Sequence, residues 1–358
     1  MEIPGWGAVQ GHWEIHPNES EYLGQVDFKG KSVLEIGPAS GLLTFFMESR
    51  MANVVSLEAA DDYAWEFYWD LQETVPEDLQ AKLDDHLQMM KRVKNSYWLC
   101  HRAFSSKARV HYGSAYSVPA KLGKFDIAVL ACMLLHNKNP LRIIENCARA
   151  SSEMMIIVEP YSQFPHASME FLPTDYRHCW HTWWRFSPKF MTDVLASLGF
   201  PYNRVTFHTQ RWFGEPFDLY TVVAGRKPLK EIASDTEPVQ AELSCPVQRI
   251  TVGANRATYL PVTVVNQTEI TMSSASEYPT HVSYHWKDRS GKTVTWDGIR
   301  TAFQWAMAKG ESQTLVMTIR TPSEPGDYIL EITMVKEGIT WYDNNPGLPL
   351  QIECVVTV

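Results

Sequence analysis

The 358-residue sequence has no stretch that could cross a membrane as a helix. Its longest apolar runs have the length of buried strands, well short of the roughly 18 uninterrupted apolar residues a span needs. Met1 to Gly11 is glycine-rich and uncharged apart from Glu2, without the basic segment and apolar core of a secretory leader. The six cysteines (Cys100, Cys132, Cys147, Cys179, Cys245 and Cys354) are scattered, with no CxxC pair and no histidine at zinc-like spacing. They read as reduced thiols, and no metal site is expected. Positive charge is also short: 32 Lys and Arg against 41 Asp and Glu leave a net charge of -9. That balance argues against a broad nucleic-acid surface, though a local basic patch remains open. Internal repeats and low-complexity tracts are absent. The expectation is a soluble, cytoplasmic protein without membrane contact.

What is present is enough apolar material for two cores, since 45% of the residues are hydrophobic. From Lys31 to Lys227, short β-branched runs alternate with helical stretches, the pattern of a parallel sheet covered by helices. Strands are expected at Ser32 to Ile36, Val54 to Glu58, Ala108 to Tyr112, Phe125 to Ala131, Met154 to Glu159, Arg204 to Thr209 and Asp218 to Ala224. The fold class is therefore α/β: a doubly wound, Rossmann-like sheet of seven strands whose final hairpin is antiparallel. An insertion over about 63–106, punctuated by Pro76, should form two or three helices that cap a site. Pro228 to Pro246 is polar and without strong period, so it reads as a linker. The boundary falls near residue 235, giving domains 1–235 and 236–358.

Beyond the linker the pattern changes to period two, as in Val282, Tyr284 and Trp286, followed by the turn Arg289-Ser290-Gly291-Lys292 and another strand. Further strands are expected at Tyr259 to Val265, Gln313 to Ile319, Tyr328 to Val335 and Pro349 to Val358. An all-β antiparallel sandwich is the expected second domain.

The chemistry is carried by Val33-Leu34-Glu35-Ile36-Gly37-Pro38-Ala39-Ser40-Gly41, an apolar strand running into a turn with glycine at both ends and then a helix. Gly37 lets the backbone turn sharply, Gly41 lets the helix start close to a ligand, and the helix start offers free N–H groups. The spacing E-x-G-x-x-x-G differs from the G-x-G-x-x-G of dinucleotide sites, because a glycine is missing and an acidic residue precedes the turn. The next strand ends in Glu58, whose carboxylate can accept two ribose hydroxyls.

This stretch resembles motif I of class I methyltransferases. The resemblance implies S-adenosylmethionine as cofactor and S-adenosylhomocysteine as product. It places Glu35 near the methionine part of the cofactor, Gly37, Pro38 and Gly41 along its ribose, and Glu58 with Ala59 on the ribose hydroxyls. After the third strand the family usually shows an acidic residue against the adenine amino group. This chain has Ser114, followed by Ala115, so the pair either lines the adenine pocket without charge or forms a plain turn. The region after the fourth strand resembles motif IV, which makes Ala131 and Cys132 cofactor neighbours and His136 the candidate base, since histidine titrates near neutrality. A histidine that only packs and hydrogen-bonds is the alternative. Glu159 and Pro160 close the fifth strand as a site wall or a turn.

Two aromatic-rich segments supply acceptor candidates. In Asp175 to Arg185 these are His178, His181 and Arg185, and in the N-terminal arm they are His12, His16 and Tyr22. Packing is the competing reading for both. The stretch Gly30 to Ala52 is similar to a bacterial branch related to tRNA wobble-uridine methyltransferases, over about residues 5–225. The C-terminal part, with Trp296-Asp297-Gly298, Pro325-Gly326-Asp327-Tyr328 and Trp341-Tyr342, is similar to a β-sandwich module appended to polysaccharide-modifying enzymes. Trp296, Trp305 and Trp341 either stack on sugar rings or fill the core.

Three functions are weighed: methylation of a hydroxyl on a sugar, glycan or other small molecule; methylation of tRNA or another nucleic acid, which the acidity opposes; and a non-catalytic scaffold that binds the cofactor. The sequence leaves open the acceptor atom and whether chains associate.

Overall fold

A computed structural model describes residues 1–60, 66, 77–161, 166–173, 181–230, 239–268, 271–274, 278–304, 306–307, 309–345 and 347–358. The chain divides into two compact units, residues 1–162 with 167–229 and residues 163–166 with 230–358.

In the first unit, β1 (Ser32–Ile36), α1 (Leu42–Ser49), β2 (Asn53–Ala59), α2 (Glu77–Ala103) and β3 (Arg109–Gly113) build one half of a sheet. β4 (Phe125–Ala131), α3 (Pro140–Ala150), β5 (Ser151–Pro160), α4 (Pro188–Ser197), β6 (Tyr202–Trp212) and β7 (Glu215–Gly225) build the other. The spatial order is β3-β2-β1-β4-β5-β7-β6. Strands β1 to β5 pair in parallel, whereas β7 runs antiparallel to both β5 and β6. The order reverses between β1 and β4, so the carboxyl ends of these two strands flank the crevice where a doubly wound sheet takes its ligand.

Alternation along the strands makes two cores, one on each face. Leu34, Leu57, Leu130 and Ile157 belong to one cluster, and Val33, Val54, Val129 and Ile156 to the other. Each fully buried aliphatic side chain contributes about 1.5–3 kcal/mol, which is why these runs are apolar on both faces. α3 and α4 start by the same device. Asn139 and Ser187 cap them by accepting the N–H of Arg142 at 3.3 Å and of Phe190 at 3.1 Å, with proline next in each case.

Within the insertion, the described residues from Glu77 to Ala103 form one continuous helix, α2, and positions 61–65 and 67–76 lie outside the described residues. Its Tyr97 and Cys100 pack on Phe45 and Ile3, and this contact fixes the helix against α1. β6 and β7 are longer than the sequence suggests, 11 residues each. Their turn, Phe213–Gly214, has both φ values positive, 51° and 81°, as a two-residue hairpin of matching twist requires. β7 first pairs with β5 at Leu219 opposite Pro160, so Glu215 to Asp218 stand beyond the carboxyl end of β5. The N-terminal arm binds this overhang: Glu14 N–H donates to Arg211 O and Phe213 N–H to His12 O.

In the second unit, β8 (Ala241–Ser244), β10 (Ala257–Asn266) and β13 (Ser312–Arg320) form one sheet in the order β8-β10-β13. A second sheet runs β9-β15-β14-β11-β12, from β9 (Arg249–Gly253), β11 (Thr280–Asp288), β12 (Thr293–Thr295), β14 (Gly326–Lys336) and β15 (Leu350–Thr357). Val262 and Met317 of the first sheet and Trp286, Leu330 and Ile352 of the second fall in one hydrophobic cluster. Two expectations need correction. β8 lies inside the segment read as linker, because Ala241 and Leu243 alternate into the core. The second sheet is not wholly antiparallel, since β9 pairs in parallel with β15.

Candidate cofactor site at the carboxyl edge of the sheet

The turn after β1 is held by two left-handed glycines, Gly37 at φ 71° and Gly41 at φ 87°, with Ala39 between them at φ 50°. Pro38 O accepts the Gly41 N–H at 2.8 Å, and Gly41 opens α1. A Cβ on Gly41 would lie 2.4 Å from the Phe45 ring and 2.9 Å from Tyr97, so no other residue fits there. Gly37 and Ala39 stay exposed, and this leaves backbone at the lip of the crevice. From β2, the Glu58 carboxylate accepts the Ala59 N–H at 2.9 Å and faces the Ala39 N–H of the glycine turn, which helps to lower its pKa. The end of β2 is tied to that turn by the Gly37 N–H, which donates to Leu57 O at 3.0 Å. Burial raises its pKa, while the two N–H groups and the nearby Lys94 pull it back.

Glu35 does not reach the crevice mouth. Its carboxylate lies beneath α1 and accepts the Thr44 hydroxyl at 2.5 Å and the Ser56 hydroxyl at 2.9 Å. Burial pushes it up to about 7 against the pull of those two donors. Its polar trio, enclosed between β1, β2 and α1, braces the turn from below.

Along the same edge stand Ala59, Ser114, Ala115, Ala131 and Cys132, each half-buried. The Ser114 oxygen accepts the Tyr116 N–H at 3.2 Å, the geometry of a local turn, and its hydroxyl donates to no acceptor among the described residues. Cys132 sits at φ 48° and its N–H extends the pairing to Val158 O. Tyr22, fully buried, brings its hydroxyl 3.4 Å from the Cys132 sulfur. Burial raises both groups far from ionisation.

His136 lies on the short helical turn after Cys132, with Nδ1 2.7 Å from the His181 carbonyl. Its ring is 5.2 Å from that of His181, which stacks on His86 at 5.5 Å. Burial and the two neighbouring imidazoles push His136 down to about 3. Both causes disfavour the imidazolium form, so the environment opposes a charged ring at neutral pH. Among the described residues no group of histidines, cysteines and carboxylates is arranged to hold a metal.

The remaining acceptor candidates scatter. His12 stacks on Phe213 at 4.5 Å on the overhanging hairpin, and His16 is 2.7 Å from Glu19 at the surface. The Arg185 guanidinium pairs with Glu170 at 3.4 Å on an exposed face. His178 and Trp305 lie outside the described residues.

Two residues at this edge were not singled out by the sequence. Lys94 of α2 donates to Ala59 O at 2.8 Å. Glu66 accepts the Tyr116 hydroxyl at 2.5 Å and the Lys138 N–H at 2.6 Å, which joins the loops after β3 and β4. Neither has a sequence signal, because each acts through a partner that is remote in the chain. Glu159, read from the sequence as a site wall or a turn, is wholly buried and accepts the Leu134 N–H at 3.1 Å, so it holds the turn that carries His136. A groove of about 720 Å³ opens at the opposite edge, where Ser32, Asn53 and Arg109 begin their strands, away from these groups.

No protein-family model matches the chain, and no curated protein matches it. Solved structures that match the chain include methyltransferases and a protein bound to S-adenosylhomocysteine. The N-terminal domain of EvdMO1, solved with S-adenosylhomocysteine and D-fucose, is 15% identical over 63% of this chain and 90% of its own, with a TM-score of 0.42. Magnesium protoporphyrin IX methyltransferase from Synechocystis PCC 6803, with S-adenosylhomocysteine bound, is 10% identical over 60% and 82%, at 0.38. The 1,6-didemethyltoxoflavin-N1-methyltransferase of Burkholderia thailandensis, with its substrate and S-adenosylhomocysteine, is 13% identical over 58% and 76%, at 0.36. The fold described above rests on the strand order of this chain itself.

Proposed function

We propose that the first unit is an S-adenosylmethionine-dependent methyltransferase acting on a hydroxyl of a sugar, glycan or other small molecule. The observation that carries this reading is the junction at the sheet's reversal point. Two left-handed glycines expose backbone there, and the next strand, tied to the turn by the Gly37 N–H on Leu57 O at 3.0 Å, brings an acidic side chain to face it. These residues fit the cofactor. Glu58 is an acceptor-only group for paired ribose hydroxyls, the first turn of α1 offers unpaired N–H groups, and Ser114 and Ala115 form an uncharged wall for a purine. Gly37, Pro38 and Gly41 let the backbone pass close beside the sugar, and Ala131 and Cys132 border the sulfur end. Glu35 acts from below by keeping the turn in place.

When bound, S-adenosylmethionine supplies an electrophilic methyl group. The chain's part is to place the acceptor and keep water out. Trp13, Trp212 and Phe217 of the arm and hairpin cluster beyond the end of β5, with Trp13 and Phe217 rings 5.4 Å apart, and give the acceptor side an apolar wall. His136 positions the acceptor hydroxyl, whose proton is released to bulk solvent when the site opens after the methyl has been gained. Tyr22 and His181 complete that side. The five described cysteines are free, and a cytoplasmic location suits them. The net charge of -9 favours a small acceptor over nucleic acid.

Calorimetric titration with S-adenosylmethionine and S-adenosylhomocysteine tests the reading, comparing the natural chain with Glu58→Ala and Gly37→Val. Micromolar binding that both variants lose supports the site. Absence of binding to the natural chain sinks it. Binding without methyl transfer to any of a panel of hydroxylated acceptors leaves the scaffold reading in its place.

A further inference from the structure

The second unit carries a built cluster on the outer face of its larger sheet. Val282, Tyr284 and Trp286 of β11 point into the core, so His281, Ser283 and His285 share the opposite face. In β14, Thr333 lies opposite Ser283 and Glu331 opposite His285 on that face. Thr333 is wholly buried, yet its hydroxyl finds no hydrogen-bond partner among the described residues.

Two indoles stand over this polar floor. The Trp296 ring lies on the buried His285 ring at 4.1 Å and 17°, and Trp341 packs on the same imidazole at 4.5 Å. The two indoles are 5.7 Å apart at 60°. His285 is fixed from both ring nitrogens, by Trp296 O and by the Asp343 carboxylate at 3.2 Å. Trp296 nevertheless remains 50% exposed. With one face on His285, the other is a rigid apolar plate turned to solvent.

Charged groups rim the plate. Arg300 pairs with Asp297 and, at 2.6 Å, with Glu337, donates to Ser283 at 3.3 Å, and lies over Trp341 at 4.8 Å. Asp297 and Asp343 retain acceptor capacity toward solvent. A flat apolar plate beside carboxylate acceptors and a guanidinium donor matches a pyranose ring, which has an apolar C–H face and a hydroxyl edge. Arg300 occupies a face of Trp341, so Trp296 supplies the open plate. The carboxylates on the rim repel phosphate.

We infer that the Trp296–His285–Trp341 cluster is a binding site for a neutral saccharide. It is read from the second unit alone, so its test gives the same answer whether or not the first unit transfers methyl groups.

The experiment titrates the full chain with maltohexaose, cellohexaose, xylohexaose and mannohexaose by calorimetry. At least one should bind with Kd of about 1 mM or tighter. Trp296→Ala should weaken that binding about tenfold or more. Asp297→Asn, at an exposed position where misfolding is not at issue, should weaken it less. Tyr259→Ser, which removes an exposed aromatic from the other sheet of the same unit, should leave it unchanged. The inference is overturned if none of the four sugars binds, if Trp296→Ala binds as well as the natural chain while retaining its unfolding transition, or if Tyr259→Ser loses binding equally.

Discussion

The Glu35 carboxylate and the Thr44 hydroxyl lie 2.5 Å apart beneath the first turn of α1, joining the strand before the glycine turn to the helix after it. Burial holds the folded-state pKa near 7, above the ordinary 4.5. The folded chain therefore binds a proton here that the unfolded chain has released. The sign follows: the stability contributed by protonated Glu35 is complete below pH 4.5 and is lost as pH rises toward 7. Glu35→Gln should remove that dependence. Urea unfolding of both proteins at pH 5 and pH 8 should show the variant gaining relative stability at the higher pH, by on the order of 3 kcal/mol at most. Equal differences at the two values would refute the assignment.

Gly41→Ala tests the other side of the same turn. The substitution forces a Cβ into the left-handed region and against Phe45 and Tyr97. The backbone term costs about 1–2 kcal/mol and overpacking about 1–3 more. A drop in melting temperature of several degrees is expected, with S-adenosylmethionine binding weakened because α1 can no longer start at its present angle. An unchanged melting temperature would mean that the turn relaxes freely.

Lys94 links the inserted helix to the cofactor end of β2, through Ala59 O and through its charge on Glu58. Without that charge, the pKa of Glu58, already raised by burial, rises further. Lys94→Met should leave S-adenosylmethionine affinity little changed at pH 8 and weaken it increasingly on acidification. The midpoint of the affinity profile should thus sit at higher pH than in the natural chain. Parallel profiles across pH 5 to 8 would show that Lys94 has no electrostatic role.

The parallel strands were legible because their residues are buried on both faces and leave apolar runs rich in β-branched residues, as in Met155 to Val158. The glycine turn was legible because Gly41 combines a left-handed backbone with contacts that leave no room for a Cβ. The ends of β6 and β7 were not, since Gln210 to Phe217 are polar or aromatic and are held in strand geometry by an arm some 200 residues earlier in the chain, through Trp13 and Trp212. Strand β8 hid in a polar segment because only two of its four side chains face the core. His136 shows the limit for sites. Its position in the motif was readable, but its neutrality depends on burial and on His86 and His181, which no local pattern encodes.

That neutrality makes a prediction opposite in sign to the one for Glu35. With the folded-state pKa near 3 and an ordinary value of 6.5, the unfolded chain gains a proton at pH 5 that the folded chain refuses. Stability from neutral His136 is complete above pH 6.5 and is lost as pH falls toward 3, about 2 kcal/mol of it by pH 5. His136→Asn cannot be charged, so the difference in stability between it and the natural chain should shrink by about that amount between pH 7.5 and pH 5, whatever constant cost the lost bond to His181 adds. The same physics forbids His136 from giving an inflection in the methyl-transfer rate between pH 5 and 8. A stability difference that is constant with pH, or a rate inflection near 6.5 that the variant abolishes, would show the imidazole to be solvated and titrating, and would return it to the role of a general base.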